Sequence, residues 1–253
     1  MAQPEYGITA SPCANLNATA LLGEKPGDRD VTLSNDEIFA LWRASMRIPY
    51  PVGPVYRLLL LTGLRLREAA NARWHEFDLD KCEWTIPAAR MKGKNAGPKQ
   101  SRPHVVPLTN ELLALVKEVA EKRGKGAFVF STTGGRVPVW MGAKVKDDLD
   151  HRMLITLRAL ARMRGKALPK TITHFVNHDI RRTVRTHLAK LKISEEAREA
   201  LLAHRQPTIK GVYNRHDYFD EKREALQEWA ARLRTIVEPA PNNVVSLQAA
   251  MNE

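Results

Sequence analysis

From Ser34 onward, apolar residues return along the chain at a helical period. Ser34-x-x-Glu37 opens the first run; its hydroxyl and carboxylate are spaced to satisfy free backbone donors of a first helical turn. Ile38, Leu41 and Trp42 follow on one face, and Pro51 and Pro54 are predicted to end that helix. Val55 to Leu61 is apolar on nearly every side, the pattern of a buried helix, with Gly63 as its C-terminal cap. Leu66, Ala69, Ala70 and Trp74 give the next helix an apolar face. Strands are predicted at 77–80, 83–88 and 105–108, the last two flanking the turn-rich stretch RMKGKNAGPKQSR as a hairpin.

Beyond Thr109 the pattern is mainly helical. Leu112, Leu115, Val116 and Val119 mark one helix, closed by Gly124, and 128–130 reads as a short extra strand. Residues 142–164 read as a long helix. Asn177 is placed to cap a helix running to Lys190, with Asp179 in its first turn. Ser194 caps another, with Glu195 and Glu196 in its first turn, running to about Ala203. Leu226, Trp229, Ala230 and Leu233 define a last amphipathic helix over about 219–236. The expected fold class is mainly α with a small antiparallel β-sheet, in a domain over 34–236. Residues 1–33, with Pro4, Pro12, Gly23, Pro26 and Gly27 and no period, read as an extended leader or linker. Residues 237–253 read as a tail with a proline break and an apolar patch at Val244, Val245 and Leu247.

Composition narrows the function classes. With 253 residues and 43% hydrophobic content the chain has enough apolar material for a core. Its net charge of +12 points to a polyanionic partner, of which nucleic acid is the usual one. Part of that charge is concentrated. The hairpin stretch holds five bases and no acid, among them Lys92, Lys94, Lys99 and Arg102. Arg158, Arg162, Arg164, Lys166 and Lys170 follow one another without an intervening acid, either as a solvated face or as a DNA-facing one. Cys13 and Cys82 form no C-x-x-C, so neither a zinc knuckle nor a disulfide framework is expected. The N-terminus lacks a signal-peptide pattern, and the longest apolar run, LLLL at 58–61, is far short of a membrane span. A soluble, cytoplasmic protein is expected.

Five groups, in order, fit one chemistry: Arg65, then His178-x-x-Arg181, then His204, then Tyr213. Transfer of a phosphodiester places charge on two non-bridging oxygens, which the planar fork of arginine matches with a charge that never titrates away. Arg65 stands at the start of a predicted helix, where free N–H groups favour an anion. His178 and Arg181, three apart, share a helix face, and a histidine titrates near neutrality. His174 and His178 have i,i+4 metal spacing, but no Glu follows His174 and the predicted helix begins after it, so no metal site is expected. There is no P-loop and no acidic cluster for a two-metal nuclease, so no cofactor is implied. Tyr213 is the candidate nucleophile and Tyr218 its rival five residues on.

The segments TGLRLREAANARW, HDIRRTVRTHLAKL and LLAHRQPTIKGVYNR resemble the boxes of the tyrosine recombinase, or phage integrase, family, and the stretch YNRHDYFDEKREALQEWA looks most like its prophage-type members. The spacings of three residues from His178 to Arg181, 26 from His178 to His204 and nine from His204 to Tyr213 agree with the family pattern. The resemblance implies a site-specific DNA recombinase that works without a cofactor. It implies a 3′-phosphotyrosyl intermediate on Tyr213, a hydrogen bond from His204 to the scissile phosphate, and strand exchange in a DNA-bound tetramer, with DNA-bending helper proteins as further partners. It also implies a lysine general acid on the hairpin, which Lys92 matches best and Lys94 nearly as well. Glu68 falls at an acidic position of the first box and is expected to hold Arg65 or its helix. The tail is expected to dock on a neighbouring subunit. The family places a core-binding domain ahead of this one. Residues 1–33 are too few to form it, so the chain reads as a shortened piece or a gene remnant, with full recombination not expected of it alone. A DNA-binding module without catalysis and a nicking-closing enzyme of the type IB topoisomerase kind are the other two classes open at this point.

Overall fold

The computed structural model describes residues 31–91, 103–204 and 217–238, all within the unit of the chain that starts at Val31. Eight α-helices and a three-stranded antiparallel sheet make up this part: α1 Asn35–Arg47, α2 Val52–Thr62, α3 Leu66–Ala70, β1 Phe77–Asp78, β2 Glu83–Ile86, β3 His104–Pro107, α4 Asn110–Ala120, α5 Ala143–Met163, α6 Asn177–Lys190, α7 Glu195–Leu201 and α8 Phe219–Val237. The mainly helical fold with a small antiparallel sheet is as expected.

The first helix starts where its cap dictates. The Glu37 carboxylate accepts from the Ser34 N–H at 2.8 Å, and Ser34 Oγ accepts from the Glu37 N–H at 3.3 Å. Leu33 and Ile38, on either side of the cap, are both buried in the core, the positions of a hydrophobic staple. Helix α2 is the hub. It is buried at every position from Gly53 to Thr62 and packs against α1, α3, α4, α6 and α8. Pro54 falls in its first turn, where a missing N–H costs nothing, so this proline begins a helix rather than ending one. Gly63 closes α2 in the left-handed region at φ 66. A Cβ there would lie 2.9 Å from Leu202 Cδ2 and 3.1 Å from Val184 Cγ1, so glycine also permits α2 to approach α6 and the end of α7.

The sheet runs β1-β2-β3, with Trp84 paired to Phe77 on one side and Val106 on the other. The Trp84 and Phe77 rings stack at 4.9 Å. Helix α8 seals the assembly. Trp229 Nε1 donates to the Leu60 carbonyl at 2.8 Å in the core, and Lys222 Nζ donates to the Val105 carbonyl on β3 at 2.8 Å.

Three further local expectations are corrected. Helix α4 ends at Ala120, and Gly124 serves a close backbone approach instead, since a Cβ on it would meet the Gly134 carbonyl at 2.2 Å. Phe128 forms a single bridge with Arg73 rather than a strand. Helix α6 is capped by Asp179, whose Oδ2 accepts from the Val176 N–H at 2.8 Å; Asn177 is already its first residue. Among the described residues no helix is long and apolar enough to cross a membrane.

Candidate functional site

Four of the six candidate catalytic residues lie in described segments, and the fold gathers them round the C-terminal ends of α2 and α7. Arg181 occupies the centre. It is 3% exposed, and its guanidinium donates through Nη1 to the Gly63 carbonyl at 3.0 Å and through Nη2 to the Leu202 carbonyl. Both acceptors lie at or just past helix C-termini, where carbonyls are left without intrahelical donors. Burial, and then the charge of Arg65, hold the pKa of Arg181 down to about 10, so it remains a cation at neutral pH.

Arg65 precedes α3 in extended conformation. The Glu68 carboxylate, itself 2% exposed, fixes it twice: Oε2 accepts the Arg65 N–H at 2.9 Å and Oε1 accepts Nη1 at 2.8 Å. One edge of the Arg65 side chain is thus held while a quarter of its surface stays open. This is the holding role expected of Glu68.

His178 begins the exposed rim of α6 one turn before Arg181. Burial, then Arg181 and Arg182, lower its pKa against the pull of Asp179, and Arg65 lowers it further. His204 follows α7, just after Ala203 at φ 49. Its pKa is likewise lowered by burial and by Arg181, against the Glu199 carboxylate, and Arg65 again contributes. Arg65 therefore acts on Arg181, His178 and His204 alike, which places the four groups in one electrostatic neighbourhood. Two fixed cations beside two neutral, accessible imidazoles make a site that an anion would complete. Among the described residues no cluster of His, Cys, Asp and Glu is arranged to hold a metal, and His174 has no metal-binding company.

Lys92, Lys94, Lys99, Arg102 and Tyr213 lie outside the described residues. Their flanks are anchored. Arg90, two residues before Lys92, donates to the buried Glu76 carboxylate and, at 2.6 Å, to the carbonyl of Glu68, the residue that holds Arg65. The return strand β3 is tied to α8 by Lys222. Tyr218 precedes α8 in the left-handed region at φ 53, and its carbonyl accepts the Lys222 N–H at 2.9 Å.

The basic run on α5 is a separate feature. Lys146 near the start of α5 stacks its ammonium 3.6 Å from the Phe175 ring centroid, close in sequence to His178. Arg158 lies twelve residues further along the helix, roughly 18 Å at 1.5 Å per residue. Arg158 donates to the Pro169 carbonyl at 3.0 Å, and Arg164 pairs with Asp36 at 2.6 Å. Arg162 and Lys166 have no ion pair among the described residues. The absence of acids along this sequence run therefore does not carry into space, since Asp36 from α1 supplies one.

Sequence reasoning missed four supports of the site. Glu199 pairs with His204 at 2.6 Å, and Arg185 grips Glu199 at 2.7 and 2.9 Å. Lys222 is buried against β3. His104, at the start of β3, is 6% exposed, and burial, then Lys222, push its pKa down to about 3, so it is a neutral imidazole among cations. A Glu five residues before a His on a predicted helix was the available signal for the first pair, because i,i+5 brings them together where a helix unwinds.

Comparisons with known proteins bear on the family and the fold. The model of the Phage integrase family matches residues 32–219. Prophage integrase IntZ of Escherichia coli K12 is 30% identical over 232 residues, which is 91% of this chain and 51% of that protein. Prophage integrase IntA of the same strain is 32% identical over 173 residues, 68% of this chain and 36% of that protein. The chain thus spans about half the length, or less, of these curated relatives. Among solved structures, the integrase from mycobacterium phage Brujita superposes with a TM-score of 0.51 at 16% identity, over 92% of this chain and 68% of that one, a likeness of fold.

Proposed function

The chain belongs to the phage integrase family, and on that premise we propose that it is the catalytic domain of a site-specific DNA recombinase that cuts and rejoins DNA through a 3′-phosphotyrosyl bond to Tyr213. The observation that carries this reading is the convergence of Arg65, Arg181, His178 and His204 into one cationic site. Its buried arginine is held in place by protein carbonyls before any substrate arrives. Preorganised donors of this kind need no rearrangement as charge develops, which is where electrostatic catalysis has most effect.

The reaction follows from the groups present. The two arginines bracket the non-bridging oxygens of the scissile phosphate. His178, neutral before substrate binds, takes the phenolic proton as the Tyr213 oxygen attacks phosphorus. The bond from phosphorus to the 5′ oxygen breaks, and that oxygen takes a proton from Lys92, or from Lys94. The phosphotyrosyl bond keeps the energy of the broken linkage, so a 5′-hydroxyl from another strand reverses the steps without ATP. Double-stranded DNA is the partner. The hairpin bases, with Arg162 and Lys166, supply sequence-independent phosphate contacts. Assembly into a tetramer on DNA, with DNA-bending proteins as helpers, belongs to the same proposal.

The test is a nicked suicide duplex carrying the cognate site, sought in the DNA flanking the gene. The duplex is incubated with protein and resolved on a denaturing gel. A covalent complex that requires Tyr213 supports the reading. DNA binding without any adduct points to a binding module, and adduct formation with site-independent relaxation of supercoils points to a nicking-closing enzyme.

A further inference from the structure

Glu199 and Arg185 belong to no part of the chemistry above, yet they meet the one catalytic histidine whose proton position decides what it does. Glu199 Oε2 lies 2.6 Å from His204 Nδ1. Its other oxygen, Oε1, is gripped by Arg185 through Nε at 2.9 Å and Nη2 at 2.7 Å. Arg185 stands one turn beyond Arg181 on α6. The same helix therefore places the central arginine of the site and the brace of this carboxylate. The backbone reinforces the pair, since the His204 N–H donates to the Glu199 carbonyl at 2.9 Å.

The proton on this hydrogen bond can be assigned. Burial pushes the Glu199 carboxyl up, but the bonds from Arg185 and His204 outweigh it and hold it below its usual range. Glu199 is thus an ionised acceptor, and Nδ1 of His204 must be the donor. The consequence falls on the far nitrogen. A neutral His204 with its proton on Nδ1 shows only a lone pair at Nε2, which a phosphate oxygen would meet unfavourably. Nε2 can donate to the scissile phosphate only when the ring carries both protons.

We propose that Glu199, braced by Arg185, is a positioning residue that fixes the proton of His204 on Nδ1 and sustains the imidazolium form in which Nε2 donates to the scissile phosphate. This rests on the recombinase reading for the phosphate, but not for the state of the His204 ring. Among the described residues, the charged groups that reach His204 are Arg181 on α6 and Arg65 ahead of α3, which oppose its protonation, and Glu199 on α7, which favours it. In the free protein the arginines and burial prevail. Bound phosphate adds a negative charge beside Nε2 and reverses the balance, so the ring gains its second proton as the substrate is seated. A pentacovalent phosphorane carries about one more negative charge than the diester, and the second N–H meets it.

The experiment compares wild type, Glu199→Gln and Glu199→Asp in two measurements. One is the initial rate of covalent adduct formation on a suicide duplex from pH 5.5 to 9. The other is the titration of the His204 ring nitrogens by NMR in the free protein, with inorganic phosphate and without. If the rate follows the protonated fraction, lowering the pKa by one unit costs a factor of ten at pH above it and nothing well below it. A nearby opposite charge shifts a pKa by about one unit or more. Glu199→Gln should therefore lose roughly tenfold at pH 8 while staying near wild type at pH 5.5, and Glu199→Asp should recover much of the loss. The wild-type spectrum should show His204 protonated on Nδ1 when neutral and titrating at higher pH with phosphate present. A uniform loss across the pH range, or a wild-type neutral ring protonated on Nε2, overturns the proposal. If wild type forms no adduct at any pH, the recombinase reading fails, and the wild-type nitrogen titration still decides the role of Glu199.

Discussion

Replacing Arg181 with lysine should damage stability and chemistry together, whereas the same change at Arg65 should damage chemistry almost alone. Lysine keeps the charge in both cases but loses the fork. At Arg181 two guanidinium nitrogens serve two separate carbonyls, Gly63 and Leu202, in a site 3% exposed. A lysine ammonium, a single point without the fork, does not span the two positions that Nη1 and Nη2 occupy, so one buried carbonyl is left without a donor, at a cost of about 1–3 kcal/mol. With a urea m-value of about 1–3 kcal/mol/M, the unfolding midpoint should fall by on the order of 1 M. At Arg65 the side chain's partner among the described residues is the Glu68 carboxylate, which an ammonium can still neutralise, so the midpoint should move by a small fraction of that. In adduct formation both substitutions should cost on the order of 10²–10³ in rate, the usual consequence of removing a preorganised donor from a developing oxyanion. Urea melts and single-turnover cleavage on the same preparations measure both quantities. Equal stability of Arg181→Lys and wild type would refute the bridging role of the guanidinium. Cleavage within a few-fold of wild type for both variants would refute the phosphate clamp.

The other expectations are narrower. Tyr213→Phe should abolish the covalent adduct with DNA affinity nearly unchanged, and Tyr218→Phe should retain the adduct; the reverse result on a denaturing gel reassigns the nucleophile. Gly63→Ala should destabilise by about 1 kcal/mol or more, since the position combines positive φ with contacts under 3.2 Å to Leu202 and Val184; an unchanged melting temperature contradicts that packing. DNA affinity should rise as pH falls, because burial and Arg181 lower the pKa of His204 in the free site, and a bound phosphate raises it, so binding takes up a proton. Log affinity should also fall with log salt by about 0.9 for each phosphate neutralised, and fluorescence anisotropy across pH and salt checks both.

The sequence made the frame legible because the frame rests on local rules. Ser34 and Ser194 announced their helices through side-chain caps, Gly63 announced the end of α2, and the apolar periods located α1, α4 and α8. The order of Arg65, His178, Arg181 and His204 pointed to one site, and the fold brings the four together. Legibility failed where a contact joins distant parts of the chain. Asp36 neutralises Arg164 across 128 positions, and Lys222 reaches Val105 across 117; neither leaves a period or a spacing behind. Asn177 was mistaken for a cap because Asn and Asp two residues apart offer the same chemistry, and backbone geometry alone selects Asp179. Gly124 was read as a helix cap because glycine serves both helix ends and close backbone approaches.

The two carbonyls that hold Arg181 also shape how this protein can decay under mutation. Arg181 joins the end of α2 to the end of α7, so changing it costs the fold as well as the reaction. Tyr213, in the proposed role, contributes a single hydroxyl, and phenylalanine in its place removes only that group. In a lineage freed from selection for strand transfer but still kept folded, the tyrosine drifts first, and the arginine persists as a structural relic. A surviving arginine in such a descendant is therefore poor evidence of activity, and the paired presence of arginine and tyrosine is the more informative mark.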